Sequence, residues 1–145
     1  MKAVIHETYG TPEVLRLVDE PVPEPTGAQV LVDVAATSIN LTDWEMLTGS
    51  PLYARIGGLR RPARRVPGSD IAGRVVAAGP DVTEFEVGDA VYGDNLWLRG
   101  GFAEYAVAPQ SVLAHKPEGL SFAQASTIPQ AGPIALQGTS RAGHG

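Results

Sequence analysis

A mainly β domain in the form of a small barrel is what this sequence predicts, from three observations. The first is the stretch from Pro67 to Gly93, PGSDIAGRVVAAGPDVTEFEVGDAVYG, which reads strand, turn, connection, turn, strand. Ile71, Val75, Val76, Ala77 and Ala78 form an apolar run rich in β-branched residues, bounded by Gly68 and by Gly79-Pro80. That is the pattern of a buried strand between turns. The second is the supply of turn formers: 17 glycines and 12 prolines, a fifth of the 145 residues, are spread along the chain. The third is spacing, because short apolar segments recur closely enough to build a barrel with Greek-key-like connections.

The elements follow in order. Lys2 to His6 is a short strand, and Glu13 to Val18 pairs with it, with Val14, Arg16 and Val18 alternating with Leu15 and Leu17. Glu20-Pro-Val-Pro-Glu-Pro25 is extended and exposed, since three prolines in five residues cannot feed a sheet ladder. Gln29 to Ala36 resumes a strand with Val30, Val32 and Val34 on one face. Asn40 to Leu47 is the first helix, capped by Asn40 or Thr42, with Asp43 and Glu45 at the positive end of its dipole and Gly49-Ser50-Pro51 as its stop. In the central stretch Val82, Phe85 and Val87 anchor an acidic connection, Gly88-Asp89 turns, and Val91-Tyr92 resumes a strand. Asp94 to Gly100 is a loop with Trp97 at its middle, followed by strands at Gly101 to Val107 and Val112 to His115. Ser121-Phe-Ala-Gln124 has the spacing of a capping box, and Thr127-Ile128-Pro129 breaks the helix it opens.

Composition narrows the function classes. One domain of this length buries roughly two-thirds of its unfolded surface. A formal charge of −5 speaks against general polyanion binding. Arg55, Arg60, Arg61, Arg64 and Arg65, five of eleven basic residues, crowd one loop. That loop is either solvated or a rim for a carboxylate, a phosphate or an acidic partner. No groove-reading helix or aromatic stacking series accompanies it, so nucleic acid is not expected as a partner. The absence of cysteine removes disulfides, thiolate zinc sites and a cysteine nucleophile together. MKAVIHETYG has no apolar signal core, and no segment is long and apolar enough to span a bilayer, so a cytoplasmic protein with no membrane partner is the expectation.

Gly68-Ser-Asp-Ile-Ala-Gly73, Val75-Val76, Gly79 and Val87-Gly-Asp-Ala-Val91 resemble the central segment of the medium-chain dehydrogenase/reductase superfamily. More narrowly they are similar to its zinc-independent quinone oxidoreductase and enoyl reductase branch. The resemblance runs from Met1-Lys2-Ala3 to Gln137. It implies a GroES-like partly open β-barrel with short helices over residues 1–145, with no Rossmann domain. It also implies that Glu104, in a recurrent core strand, is structural. Ala131 to Gln137 would begin the helix leading to a nucleotide-binding domain.

Zinc members of the superfamily draw their catalytic ligands from positions that here hold Asn40, Ser69 and Gln130. None is a soft or imidazole ligand, and His6, His115 and His144 lack ligand spacing, so no metal is expected. Without a Lewis acid a simple ketone is a poor hydride acceptor, whereas a conjugated enone or quinone needs only hydrogen-bond assistance at its oxygen. The resemblance therefore implies NADPH-dependent reduction of a quinone or activated double bond. It places Asn40 beside the nicotinamide ribose, although a helix cap is the alternative role. Asp43 would orient the same region or serve as a first-turn acid. Tyr53 would line the cleft as proton donor or lid, or else pack at the surface. Thr127 and Gln130 would approach the nicotinamide, while Ile134 stands where threonine is frequent.

Gly57-Gly58, Gly100-Gly101 and the terminal Gly-His-Gly lack the spacing of a dinucleotide fingerprint. The chain is thus expected to supply one wall of a cleft and to hold NADPH only together with a nucleotide-binding domain. A nucleotide-binding domain in trans, or a second copy, would cover an apolar face near Ala131 to Leu136. A stand-alone GroES-like module with a binding, scaffolding or non-redox role is the alternative, because fold resemblance alone does not separate the two.

Overall fold

The computed structural model describes residues 1–39, 41–49 and 65–129. Seven strands and two helices occur among them: β1 (Lys2–Ile5), β2 (Arg16–Asp19), β3 (Gln29–Thr37), α1 (Leu41–Thr48), β4 (Asp70–Ala78), β5 (Ala90–Asp94), β6 (Tyr105–Pro109), β7 (Leu113–His115) and α2 (Phe122–Ser126). The main sheet runs β6-β3-β4-β5-β7, and every pairing in it is antiparallel. β3, β4 and β5 are sequential neighbours and β6 returns to lie beside β3, which is the Greek-key order the spacing predicts. β6 and β7 remain its two edges, so the barrel is partly open.

Curvature comes from the β3–β4 pair. Its register slips between Leu31 and Val32, where Val76 of β4 is the extra residue, and again between Val34 and Ala36, where Ala35 of β3 is extra. A bulge on each strand bends the pair and increases its twist. The first bulge turns Val76 outward, 39% exposed, while Ile71 and Val75 are fully buried. At the second, Gly73 lies so close to β3 that a Cβ would sit 2.0 Å from the Asp33 carbonyl oxygen. The concave side gathers Val30, Val32, Ile71, Val75, Phe85, Val91, Ala106, Ala108 and Leu113 into one core, with Val34, Val82 and Val112 packed against it.

Three sequence expectations shift. Val87 is not an anchor: it is 67% exposed, because it occupies the turn in which the Gly88 N–H donates to the Val75 carbonyl at 2.7 Å. The second strand begins at Arg16 because Pro12–Val14 forms a single 3-10 turn, with proline at its start. The strand expected from Gly101 begins at Tyr105, since residues 102–104 bond to β1 instead. Val4 donates to the Phe102 carbonyl at 2.8 Å, and Ala3 bridges Ala103. Glu104 Oε1 accepts from the Lys2 N–H at 2.6 Å, a contact that ties the segment before β6 to β1. The capping box is present: Ser121 Oγ accepts from the Gln124 N–H at 3.1 Å, and Gln124 Oε1 accepts from the Ser121 N–H at 2.9 Å. Expectations for the cap at Asn40, for Arg55 to Arg64 and for Ala131 to Gln137 fall outside the described residues.

Because the space at Gly73 is filled by backbone and not by a movable side chain, Gly73→Ala should destabilise the domain by about 3 kcal/mol or more. Urea unfolding followed by far-UV circular dichroism measures this, and an unchanged midpoint would contradict the close approach of β3 and β4.

Candidate functional site

Polar side chains collect where β3, β4 and β5 meet the loops at one end of the sheet. Gly68, at φ +98°, makes the turn into β4 that a Cβ would disfavour. Ser69 and Asp70 follow it and are buried. Thr37 Oγ1 donates to the Asp70 carbonyl at 2.6 Å. The Ser38 hydroxyl lies 3.1 Å from Asp70 Oδ2 and 2.9 Å from the Ser126 carbonyl. That contact ties the end of β3 to the end of α2. It brings the exposed Thr127 beside the segment that leads into α1, and Thr127 Oγ1 donates to the Gln124 carbonyl at 2.7 Å.

The loop after β5 turns back on itself through Asn95. The Asn95 backbone donates to the Ser69 carbonyl at 2.7 Å, and its side-chain amide donates to the carbonyls of Arg99 at 2.7 Å and Val107 at 2.9 Å. Arg99 N–H returns a bond to the Asn95 carbonyl at 2.7 Å. The amide thereby caps a carbonyl of edge strand β6 and locks Arg99 at φ +56°, a left-handed conformation that costs a residue with a Cβ roughly 1–2 kcal/mol. From that backbone the guanidinium reaches Asp43 in α1, Nη1 to Oδ1 at 3.3 Å, with the two side chains 5% and 4% exposed. Removing one partner of such a buried pair strands the other charge and costs about 3–5 kcal/mol.

Asp94 adds a second negative group. Burial pushes its carboxyl above the ordinary aspartate value, while the Arg99 charge and the neighbouring Ser69 hydroxyl pull the other way. Burial likewise lowers Arg99 from the ordinary guanidinium value, opposed by Asp43 and Asp94. Ser69 lies close enough to act on Asp94, yet neither Ser69 Oγ nor Asp94 Oδ1 completes a hydrogen bond of ordinary geometry. Arg99 Nη2 and Asn95 Oδ1 are also buried without a hydrogen-bond partner among the described residues.

Of the residues nominated from sequence, Asp43 and Thr127 lie at this end of the barrel, whereas Asn40, Tyr53 and Gln130 fall outside the described residues. Sequence reasoning missed Arg99, Asp94, Asn95 and Ser38. Arg99 stands between Leu98 and two glycines and carries no motif, so only the folded loop shows what it meets. Among the described residues no three His, Cys, Asp or Glu side chains come together as a metal cluster. Of the residues expected against a nicotinamide, only Thr127 is described, so the described residues do not by themselves make up such a site. The entry to α1 and Thr127 share an end of the barrel, but no parallel strand–helix–strand unit that could cradle a pyrophosphate occurs among them. Among the described residues a cavity of about 490 Å³ opens along β6 and is lined by Leu98, Arg99 and Gly100 of the loop after β5 together with Pro21, Pro23 and Arg65, and another of about 500 Å³ opens beside Arg74, His115 and Lys116.

An antiparallel, partly open Greek-key barrel with a short helix leading in from β3 is the architecture of a GroES-like domain. Residues 26–118 match the family model of the alcohol dehydrogenase GroES-like domain. The chain belongs to that family, in the quinone oxidoreductase and enoyl reductase branch of the medium-chain dehydrogenase/reductase superfamily. It is 36% identical over 134 residues to the chloroplastic quinone-oxidoreductase QR1 of Triphysaria versicolor, covering 91% of this chain and 40% of that protein. It is 34% identical to the chloroplastic NADPH-dependent alkenal/one oxidoreductase of Arabidopsis thaliana, covering 97% and 37%. The quinone oxidoreductase structure from Coxiella burnetii superposes with a TM-score of 0.86 at 36% identity, covering 97% of this chain and 44% of that one. The chain thus spans about two-fifths of the length of the curated relatives it matches. No helix among the described residues is long and apolar enough to cross a membrane.

The raised pKa of Asp94 has a defined consequence for stability. The folded state holds this proton more tightly than the unfolded chain, so stability falls as pH rises from the ordinary aspartate value through the raised one. Asp94→Asn should remove that part of the fall. Urea midpoints for wild type and variant, compared at pH 4 and pH 7, check it: a variant with the same pH dependence as wild type would contradict the burial of Asp94.

Proposed function

We propose that this chain is the substrate-side domain, spanning residues 1–145, of a zinc-independent, NADPH-dependent oxidoreductase that reduces quinones or activated carbon–carbon double bonds. The observation that carries the reading is its membership of a branch whose similar members are named for quinone, enone and alkenal reduction. Asn40, Ser69 and Gln130, which stand where zinc-dependent relatives carry ligands, favour electron-poor acceptors that need only hydrogen-bond help at oxygen. A nicotinamide cofactor would supply the hydride. This chain would supply Asn40 and Thr127, with Gln130, against the cofactor, Asp43 to orient the start of α1, and Tyr53 as proton donor or lid over the substrate. The pyrophosphate would be held by a nucleotide-binding domain. We also infer a cytoplasmic site of action.

The test is NADPH oxidation with a simple benzoquinone and with an alkyl enone, measured for residues 1–145 alone and with a relative's nucleotide-binding domain supplied. Turnover is expected only in the second case, and Asn40→Ala should lower kcat/KM by about tenfold or more. Tight NADPH binding by the chain alone would overturn the division of labour. Persistent lack of turnover with the second domain present would favour a stand-alone GroES-like binding module.

A further inference from the structure

We infer that Arg99 is a positioning residue for Asp43 and the first turn of α1, and so for the cofactor-facing end of the site; what that turn is positioned for rests on the oxidoreductase reading. Three costly features meet at this one residue. Its backbone is left-handed although it bears a long side chain, its charge is almost wholly buried, and its Nη2 has no hydrogen-bond partner among the described residues. A loop that only had to close would be served by glycine at this position, as it is at Gly100 with φ +94°. A helix that only had to dock would be served by an apolar contact, since a buried ion pair is a poor source of stability compared with packed hydrocarbon. The strained conformation is instead over-determined by Asn95, which bonds both the N–H and the carbonyl side of the turn, and its effect is to aim a guanidinium at Asp43. Local strain maintained in this way is characteristic of sites where placement matters.

α1 is the element that needs such placement. α2 packs against β3, β4 and β5, whereas α1 makes no comparably extensive contact with another element among the described residues. Leu47 is buried near its C-terminal end, where the Leu47 carbonyl accepts from the Gly10 N–H at 3.0 Å, and Asp43 is buried in its first turn. Asp43 thus ties the entry of the helix to the β5–β6 loop through Arg99, with Asp94 adding to the field that holds the guanidinium. A fixed guanidinium sets the height and rotation of the helix start more narrowly than an apolar contact, because a charge-assisted bond is directional.

Amide hydrogen exchange on the chain, compared for wild type, Arg99→Met, Arg99→Lys and Asp43→Asn, tests this. Arg99→Met and Asp43→Asn should accelerate exchange over residues 41–48 by about a hundredfold or more while leaving β3 and β4 within about twofold, and Arg99→Lys should recover most of the protection. Equal acceleration in helix and sheet, or none in the helix, overturns the assignment. If Arg99→Met does not fold, the other two variants decide by the same criterion. In the reconstituted NADPH assay, Arg99→Met should raise KM for NADPH about tenfold with little change in KM for the quinone, and Arg99→Lys should restore it. A fall in kcat alone, with both KM values unchanged, overturns the positioning role. If wild type shows no NADPH-dependent reduction with the second domain supplied, the oxidoreductase reading fails, and the exchange pattern decides the role of Arg99 without it.

Discussion

The bulged pairing of β3 with β4 is the constraint on which the other elements depend. Two straight antiparallel strands would make a flat ribbon; one extra residue on each, at Ala35 and at Val76, bends them into the wall of a barrel. Gly73 allows the second bend because only a residue without Cβ lets the Asp33 carbonyl come so near. The bend turns Ile71, Val75, Val30 and Val32 toward a shared interior that Val91, Phe85 and Leu113 then fill. It also brings Thr37 and Ser38 onto Asp70, so the curvature that encloses the core assembles the polar end of the sheet.

That polar end differs from the rest of the barrel in how its groups are satisfied. The core is hydrocarbon, while the site gathers Asp43, Ser69, Asp70, Asn95 and Arg99, all buried, with Asp94 half-buried beside them. Burying unpaired polar atoms costs free energy that a folding domain has little to spare. Among the described residues Arg99 Nη2, Ser69 Oγ, Asp94 Oδ1 and Asn95 Oδ1 have no hydrogen-bond partner within one neighbourhood, while the core near by is wholly apolar. Such a concentration is better explained by requirements of placement than by stability, because packed apolar residues would stabilise the same loop more effectively.

The comparisons and the architecture agree about what kind of object this is. A GroES-like barrel spans two-fifths of relatives named for quinone and enone reduction, and its antiparallel strands contain no phosphate cradle among the described residues. Ser69 is buried and lies close enough to Asp94 to act on its carboxyl.

By itself the chain's order of residues determined the strands, the turns and the capping box. Each is encoded over a few neighbouring positions: β-branched runs between glycines, proline where a ladder must stop, Ser121 three residues before Gln124. The family motif likewise lies in one continuous stretch, Gly68 to Val91, whereas Asp43 and Thr127, outside it, were nominated by the wider resemblance alone. Tertiary structure decided that Val87 is outside, that the strand after Phe102 begins late, and that Asp43 faces Arg99, 56 residues away. The reason is physical: a bulge, an edge cap by a side-chain amide and an ion pair between a helix and a distant loop are pairings between segments. No local pattern records them until the barrel has closed enough to bring those segments within hydrogen-bond reach.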